Sequence, residues 1–283
     1  MSVRFLGVKK LHARVINNTF LYLKRTQFRL HRKSPISILF SRKEDWQPII
    51  EEGLKFSKYK IAFEELTPDN ISNLDLVVPL TISDLIHLND FPYKISTNPI
   101  PIPTTKSILL CDDKFVFNES MVEMGFSQYI PKMGGKHKFP YMVKKRVDVW
   151  GVNTHIIHDS QDEAKYKELL DDEDYFTQEL VLGNSEYATH ILFINGKITY
   201  SLNIKYVFDS EMPIKGQVKQ VYLKIEHCPY LELFANILKA IDFNGLCCFN
   251  YKVRNKKPLI FEINPRFGGS LGPYFFTFLN HVH

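Results

Sequence analysis

The run Gly245–Ser270 (GLCCFNYKVRNKKPLIFEINPRFGGS) constrains this chain more than any other stretch. Two β-like segments flank the polar turn Arg254–Pro258, the pattern of an antiparallel hairpin. With the pivot near Lys256, Asn250 stands opposite Glu262, and Cys248 opposite Asn264. Side chains alternate along a strand, so Asn250, Glu262 and Asn264 share one face. The other face takes Cys247, Phe249, Tyr251, Leu259, Phe261 and Ile263, all fit for a core. Pro265 lacks an N–H and ends the ladder. Arg266 follows with a permanent charge, placed to meet a phosphate or carboxylate. Gly268-Gly269-Ser270 makes a loop that can approach a ligand closely. One carboxylate and two carboxamides on a rigid face are hard oxygen donors, suited to Mg²⁺ with phosphate oxygens and water completing the octahedron. Taken singly, the same residues would suit a hairpin that turns its polar groups to water.

The rest of the chain alternates strand and helix. Ile36–Phe40 and Leu74–Leu80 read as strands, Asp45–Phe56 and Ile82–Leu88 as helices, together a small parallel-sheet unit. The alternating prolines of Asn98–Thr105 mark a linker. Beyond it, Asp113–Gly125 is predicted helical, capped by Asp112 or Asp113, with Phe115, Met121, Val122 and Met124 inward. Pro140–Lys144, Thr154–His158, Tyr175–Val181 and Glu186–Ile194 are predicted strands, Asp162–Leu170 a charged surface helix and Leu231–Ile241 an amphipathic one. Asn195-Gly196 predicts a hairpin turn. The expected division is a basic arm over 1–34, an α/β domain over 35–105 and a larger domain over 106–283.

Composition narrows the class. No apolar run approaches the ~18 residues of a membrane span. Cys111, Cys228, Cys247 and Cys248 form no C-x-x-C pair and follow no signal peptide, so reduced thiols in a cytoplasmic protein are expected. Residues 1–34 hold Arg4, Lys9, Lys10, Arg14, Lys24, Arg25, Arg29, Arg32 and Lys33 with no acidic residue. Leu11, Val15, Phe20, Leu21, Leu23 and Phe28 are interspersed and fit one side of a helix. Such an arm either packs on the body with its charges solvated, or meets an anionic membrane surface or polyanion. The arm carries no recognised nucleic-acid motif, so nucleic acid is not an expected partner.

EINPRFGGS closely resembles the metal-binding signature of ATP-grasp enzymes, of the carbamoyl-phosphate-synthase-like, carboxylate–amine ligase branch. The resemblance spans roughly Ser107–Ser270 and implies an α+β, ATP-grasp fold, here preceded by a small α/β (pre-ATP-grasp) domain and the basic helical arm. It implies Asn250, Glu262 and Asn264 as ligands of Mg²⁺, or Mn²⁺ in its place, and Arg266 as the group that meets transition-state charge. By the same resemblance Lys114 and Lys144 hold ATP phosphates, the backbone of Glu179, Leu180 and Val181 meets adenine, and Glu186 binds ribose hydroxyls. Two departures stand out. The loop Lys145–Asn153 has only Gly151 where the family is richer in glycine, and Asn250 stands where an acid or Gln is usual. The chain also ends thirteen residues after Ser270, which reads as a shortened C-terminal end.

The implied activity is Mg-ATP-dependent ligation of a carboxylate to an amine through an acyl phosphate. The carboxylate belongs to a small molecule or a glycan, with a surface-polysaccharide uronic acid as one candidate. The alternative is a non-catalytic ATP-binding module acting through protein partners. The expected location is the cytoplasm, with the arm suggesting the inner face of a membrane.

Overall fold

A computed structural model describes residues 2–30, 36–55, 57, 59–72, 74–91, 98–135, 137–149 and 151–282. The side chains of Arg4, Phe28 and Arg29, and the residues Arg32, Lys33 and Phe56, lie outside the described residues.

The chain opens on α1 (Ser2–Leu30), followed by β1 (Ser37–Ser41), α2 (Gln47–Leu54), β2 (Lys60–Glu64), α3 (Pro68–Ile71), β3 (Leu76–Val78) and α4 (Ile82–Asn89). β1 lies between β2 and β3 and runs parallel to both. A central parallel strand is covered on both faces, and Ile38, Leu39 and Phe40 are all buried. β2 (KIAFE) is half-exposed at the edge, and its apolar signal is correspondingly weak. Thr67 and Thr81 start α3 and α4 with reciprocal capping boxes, closed by Asn70 and Asp84. The proline-rich linker is irregular, as predicted, yet it is not loose. Asn98 exchanges hydrogen bonds of 3.1 and 3.0 Å with the backbone N–H and C=O of Val77.

α5 (Thr105–Asp112) and α6 (Lys114–Met121) follow. Asp113 caps α6, its Oδ1 accepting from the N–H groups of Phe115 and Val116. The inward face of α6 is Phe117, Asn118 and Met121. Val122 and Met124, expected inward, are exposed, because α6 passes into a π-helical turn over Val122–Phe126 that rotates them outward.

β4 (Tyr141–Lys145), β5 (Thr154–Ile157), α7 (Ser160–Lys165), α8 (Lys167–Leu170) and β6 (Tyr175–Glu179) make a small antiparallel unit, ordered β5-β4-β6. The single charged helix expected here is two short ones. β7 (Ser185–Ile194), β8 (Lys197–Val207), β9 (Tyr222–Glu226), α9 (Leu231–Ala240), β10 (Gly245–Arg254) and β11 (Lys257–Asn264) follow, and their antiparallel sheet is ordered β11-β10-β7-β8-β9. Both hairpin turns have φ > 0 at their two central residues, 50° and 77° at Asn195-Gly196 and 51° and 62° at Asn255-Lys256. A 3₁₀ turn at Gly269–Tyr274 leads into α10 (Phe276–Val282).

The large sheet has two apolar faces. One packs against α5, α6 and α9 through Ile191, Phe193, Cys247, Phe249 and Tyr251. The other packs, through Ala188, Leu192, Leu202 and Leu246, into a cluster with Phe40, Trp46, Ile50 and Phe275 that ties the parallel-sheet unit to the chain end. That junction leaves no spare volume. A Cβ on Gly53 would lie 2.2 Å from the Gly272 carbonyl oxygen. Gly53→Ala should therefore destabilise the fold by about 1–3 kcal/mol through overpacking against backbone. Thermal melting measures it, and an unchanged midpoint would mean that α2 is not seated on the 3₁₀ turn.

α1 packs on the edge strand β9. Asn17 donates to Leu223 O at 2.8 Å and accepts from Ile225 N at 3.0 Å, filling backbone bonds that an edge strand leaves open. Ala13 is buried, and Phe20 and Leu21 are half-buried against the core. Leu11, Val15 and Leu23, expected on the same side as these, are exposed. The arm has two apolar faces, of which the body covers one.

Candidate functional site

The site is built on the hairpin. Asn250 pairs with Glu262 and Cys248 with Asn264, the register expected from the sequence. Nearer the turn the register slips by one, pairing Tyr251 with Ile260 and Lys252 with Leu259. Phe261 is the extra residue of this bulge. The slip reassigns two side chains placed in the core from strict alternation. Ile260, rather than Leu259 or Phe261, packs with Tyr251 and Ile263; Leu259 is buried as expected but off that face, and Phe261 lines the cleft beside Glu262. Lys252, two residues beyond Asn250 on β10, shares the cleft face by alternation.

The cleft has a volume of about 590 Å³ and lies between the large sheet and the β5-β4-β6 unit. Asn250, Glu262, Asn264, Arg266, Lys114, Lys144, Leu180, Val181 and Glu186 all line it. Glu179 does not. Its carboxylate accepts from Lys132 N at 3.1 Å and from both Arg254 nitrogens at 3.1 and 3.0 Å, which holds it outside the cleft.

Charge is arranged around Glu262. Its Oε1 accepts from Asn250 Nδ2 at 2.7 Å and Asn264 Nδ2 at 3.0 Å, and its Oε2 lies 3.5 Å from Lys114 Nζ. Burial pushes this carboxyl up, but Lys114, Lys144 and the two amide donors outweigh it and bring it down to about 2. The group is an anion throughout the neutral range. Lys144, on the roof strand β4, donates to Gln178 Oε1 at 3.3 Å, its ammonium 5.2 Å from the Phe261 ring centre. Burial pulls it down to about 8 against the upward pull of Glu262. Arg266 donates to Phe267 O and lies over the Trp46 ring at 5.1 Å, so the parallel-sheet unit contributes one wall.

Two cleft residues, and a third buried behind the cleft, are not among those the sequence predicts. Lys215, from the β8–β9 connection, bonds Asn250 Oδ1 at 2.7 Å and lies 3.6 Å from Glu186 Oε1. Burial lowers its pKa, but Glu186 and Tyr206 outweigh that and the net direction is upward. No periodicity marks a loop lysine. Lys252 donates to Val181 O at 3.0 Å, and alternation from Asn250 would have found it. His190, buried on β7, meets Ser270 Oγ through Nε2 at 2.8 Å, and burial pulls its pKa to about 3, so the ring is neutral. Gly268 is needed beside it, since a Cβ there would meet His190 Cε1 at 2.8 Å. Glu186 is raised by burial, against Lys215 and Lys252.

The glycine-poor loop after β4 takes its shape from Asp148. Its carboxylate accepts from Asn153 N at 3.0 Å and Asn153 Nδ2 at 3.1 Å, while Lys145 N bonds Asn153 O; Trp150 lies outside the described residues. The loop is fastened over the cleft from two sides. Lys114 donates to Asp148 O at 2.8 Å and Arg146 pairs with Asp113 at 2.6 Å. From the other side Gln217 Nε2 donates to Gly151 O at 2.7 Å and Thr154 O at 2.8 Å.

This arrangement of two sheets over a polar cleft has solved counterparts. D-alanine–D-alanine ligase from Bacillus anthracis superposes with a TM-score of 0.57 at 14% identity, over 88% of this chain and 96% of that one. The chain has the ATP-grasp fold. An N5-carboxyaminoimidazole synthetase from Staphylococcus aureus, complexed with ADP, matches with a TM-score of 0.58 at 14% identity, over 84% of this chain and 72% of that one. An L-amino acid ligase from Bacillus licheniformis matches with 0.56 at 12% identity, over 86% and 70%. No protein-family model and no curated protein matches the sequence. Identities this low carry the ATP-grasp fold and leave the chemistry to the residues.

The donors can be tested against a metal ion. Among the described residues no cluster of three His, Cys, Asp or Glu could hold one unaided. Glu262 offers one anionic oxygen and Asn264 a carboxamide, beside Lys114 and Lys144, which attract phosphate. That set fits a Mg²⁺ that arrives with nucleotide phosphates and takes most of its ligands from them and from water. Asn250 could join only by releasing its oxygen from Lys215.

Proposed function

We propose that this chain is an ATP-dependent ligase that joins a carboxylate to an amine. The observation that carries the reading is the ionised Glu262 at the centre of a cleft whose walls bring Lys114, Lys144, Lys215 and Arg266 to bear on it. An anion among so many cations suits the terminal phosphates of a nucleotide, whose charge needs both.

In this reading Lys144 and Lys114 bind and align the phosphates, Leu180 and Val181 offer the adenine its edge, and Glu186 takes ribose hydroxyls. Glu262 and Asn264 would hold Mg²⁺, or Mn²⁺ in its place, which would supply neutralisation of the phosphate charge. A carboxylate oxygen of the substrate forms a bond to the γ-phosphorus, and ADP leaves. The amine then attacks the acyl carbon, inorganic phosphate departs, the nitrogen loses a proton, and an amide remains. Arg266 faces the charge that develops at the transferring group. Most of the catalytic effect is alignment in a water-poor cleft.

The substrates are a small carboxylate and an amine. The finer reading, a uronic acid of a surface polysaccharide, is supported only by the basic α1. The test is ADP release from Mg-ATP with panels of carboxylates and amines, beside a melting assay. Mg-ATP at ~100 times its Kd should stabilise the fold by about 2.7 kcal/mol. Release that requires both substrates is expected. A melting shift without turnover on any panel would favour the non-catalytic module, and no shift at millimolar Mg-ATP would overturn both readings.

A further inference from the structure

We propose that α1 docks on an anionic lipid bilayer and lies in its plane. Packing on β9 uses Ala13, Asn17, Phe20 and Leu21, which leaves the opposite side of the helix uncovered. That side presents Val8, Leu11, Val15 and Tyr22, 67%, 63%, 56% and 71% exposed. Their spacing of three, four and seven residues sets them in one stripe. Leu23 and Leu30 lie on the adjoining row, 61% and 73% exposed. Counted from Val8 to Leu30, the exposed apolar side is about 33 Å long at ~1.5 Å per residue. Scattered exposed leucines need no explanation, but apolar side chains aligned on one side of a helix do, here with exposed Asn18 and Thr19 between Val15 and Tyr22.

Charge selects the occupant. α1 contains seven Lys and Arg and no Asp or Glu. Arg14 is exposed on the row next to the stripe and Lys10 is exposed at the border of the packed side, whereas Lys24 and Arg25 turn inward over the rings of Tyr200 and Phe276. A second copy of the helix laid on this stripe would bring cations against cations with no carboxylate between them. A soluble polyanion would satisfy the cations and leave the apolar row in water. A bilayer with anionic headgroups satisfies both, the row entering the acyl boundary and the cations meeting the headgroups. Among the described residues no helix is long and apolar enough to cross a membrane, so in-plane binding is the geometry left.

The whole chain should co-sediment with vesicles of phosphatidylcholine containing about 30% phosphatidylglycerol at least ~10 times better than with pure phosphatidylcholine, and high salt should remove most of the difference. Leu11→Glu with Val15→Glu should lower that binding by about tenfold or more, with the melting midpoint and the Mg-ATP melting shift unchanged. Should the double variant melt early, Lys10→Glu with Arg14→Glu makes the same test through charge. Equal binding to the two vesicle types, or full binding by both double variants, would overturn the proposal. So would a dimer in sedimentation that the first double variant dissociates, which would assign the stripe to a second copy.

Discussion

Glu262→Gln should lower ATP turnover by about a thousandfold or more, a loss of ~4 kcal/mol of transition-state stabilisation. The substitution keeps the shape of the side chain and one oxygen to accept from Asn250 and Asn264, which both converge on Oε1. What disappears is the only carboxylate of the hairpin face and the partner of Lys114. The fold should survive, so circular dichroism and melting serve as controls. The turnover assay decides, through its dependence on Mg²⁺ concentration. A variant with normal activity and a normal Mg²⁺ requirement would remove Glu262 from the metal and leave Asn264 without a partner in that role.

The second large effect concerns pH. Lys144 sits at about 8 because burial opposes its charge. Below that value it is an ammonium that can hold phosphate; above it the charge is lost. The Kd for Mg-ATP should therefore rise through about pH 8, approaching tenfold per unit beyond it, as a single titrating group requires. Lys144→Met should weaken binding by ~100-fold and flatten this limb. The sign for folding is the reverse. A lysine depressed in the native state binds fewer protons folded than unfolded, so the free protein should gain stability between about pH 8 and the ordinary lysine value. Glu262 raises Lys144, so in Glu262→Gln the binding midpoint should move below 8. Calorimetric titration across pH 6.5–9.5 measures all three; a flat profile in the unsubstituted chain would deny Lys144 its phosphate.

The sequence disclosed the hairpin because a strand pair is a local object, and its pairing of Asn250 with Glu262 followed from the turn position alone. It did not disclose the bulge at Phe261. A bulge forms where the whole sheet and the cleft accommodate it, and nothing in the residues themselves marks it. β2 stayed hidden because an edge strand half in water carries little apolar signal. The arm was legible as a helix but not as a helix with two apolar faces, since which face is covered depends on where β9 lies. Lys215 and Trp46 reach the cleft from a loop and from another layer, contacts made by tertiary packing. Lys252 was legible and overlooked, two residues beyond Asn250 on the same strand.

The loop fastened over the cleft has a kinetic meaning. On the proposed function, Asp113–Arg146, Lys114–Asp148 and the two bonds from Gln217 would have to give way for the loop to lift from a nucleotide beneath it. At ~0.5–1.5 kcal/mol for each net hydrogen bond, the open form is a minority species. Association would then be gated by how often the loop lifts, and its rate should level off at high ATP rather than climb with it. The same latch works on the way out. In the proposed ligation an acyl phosphate beneath this loop would be shielded from water by the same contacts, which would give an amine already in place the first chance to react.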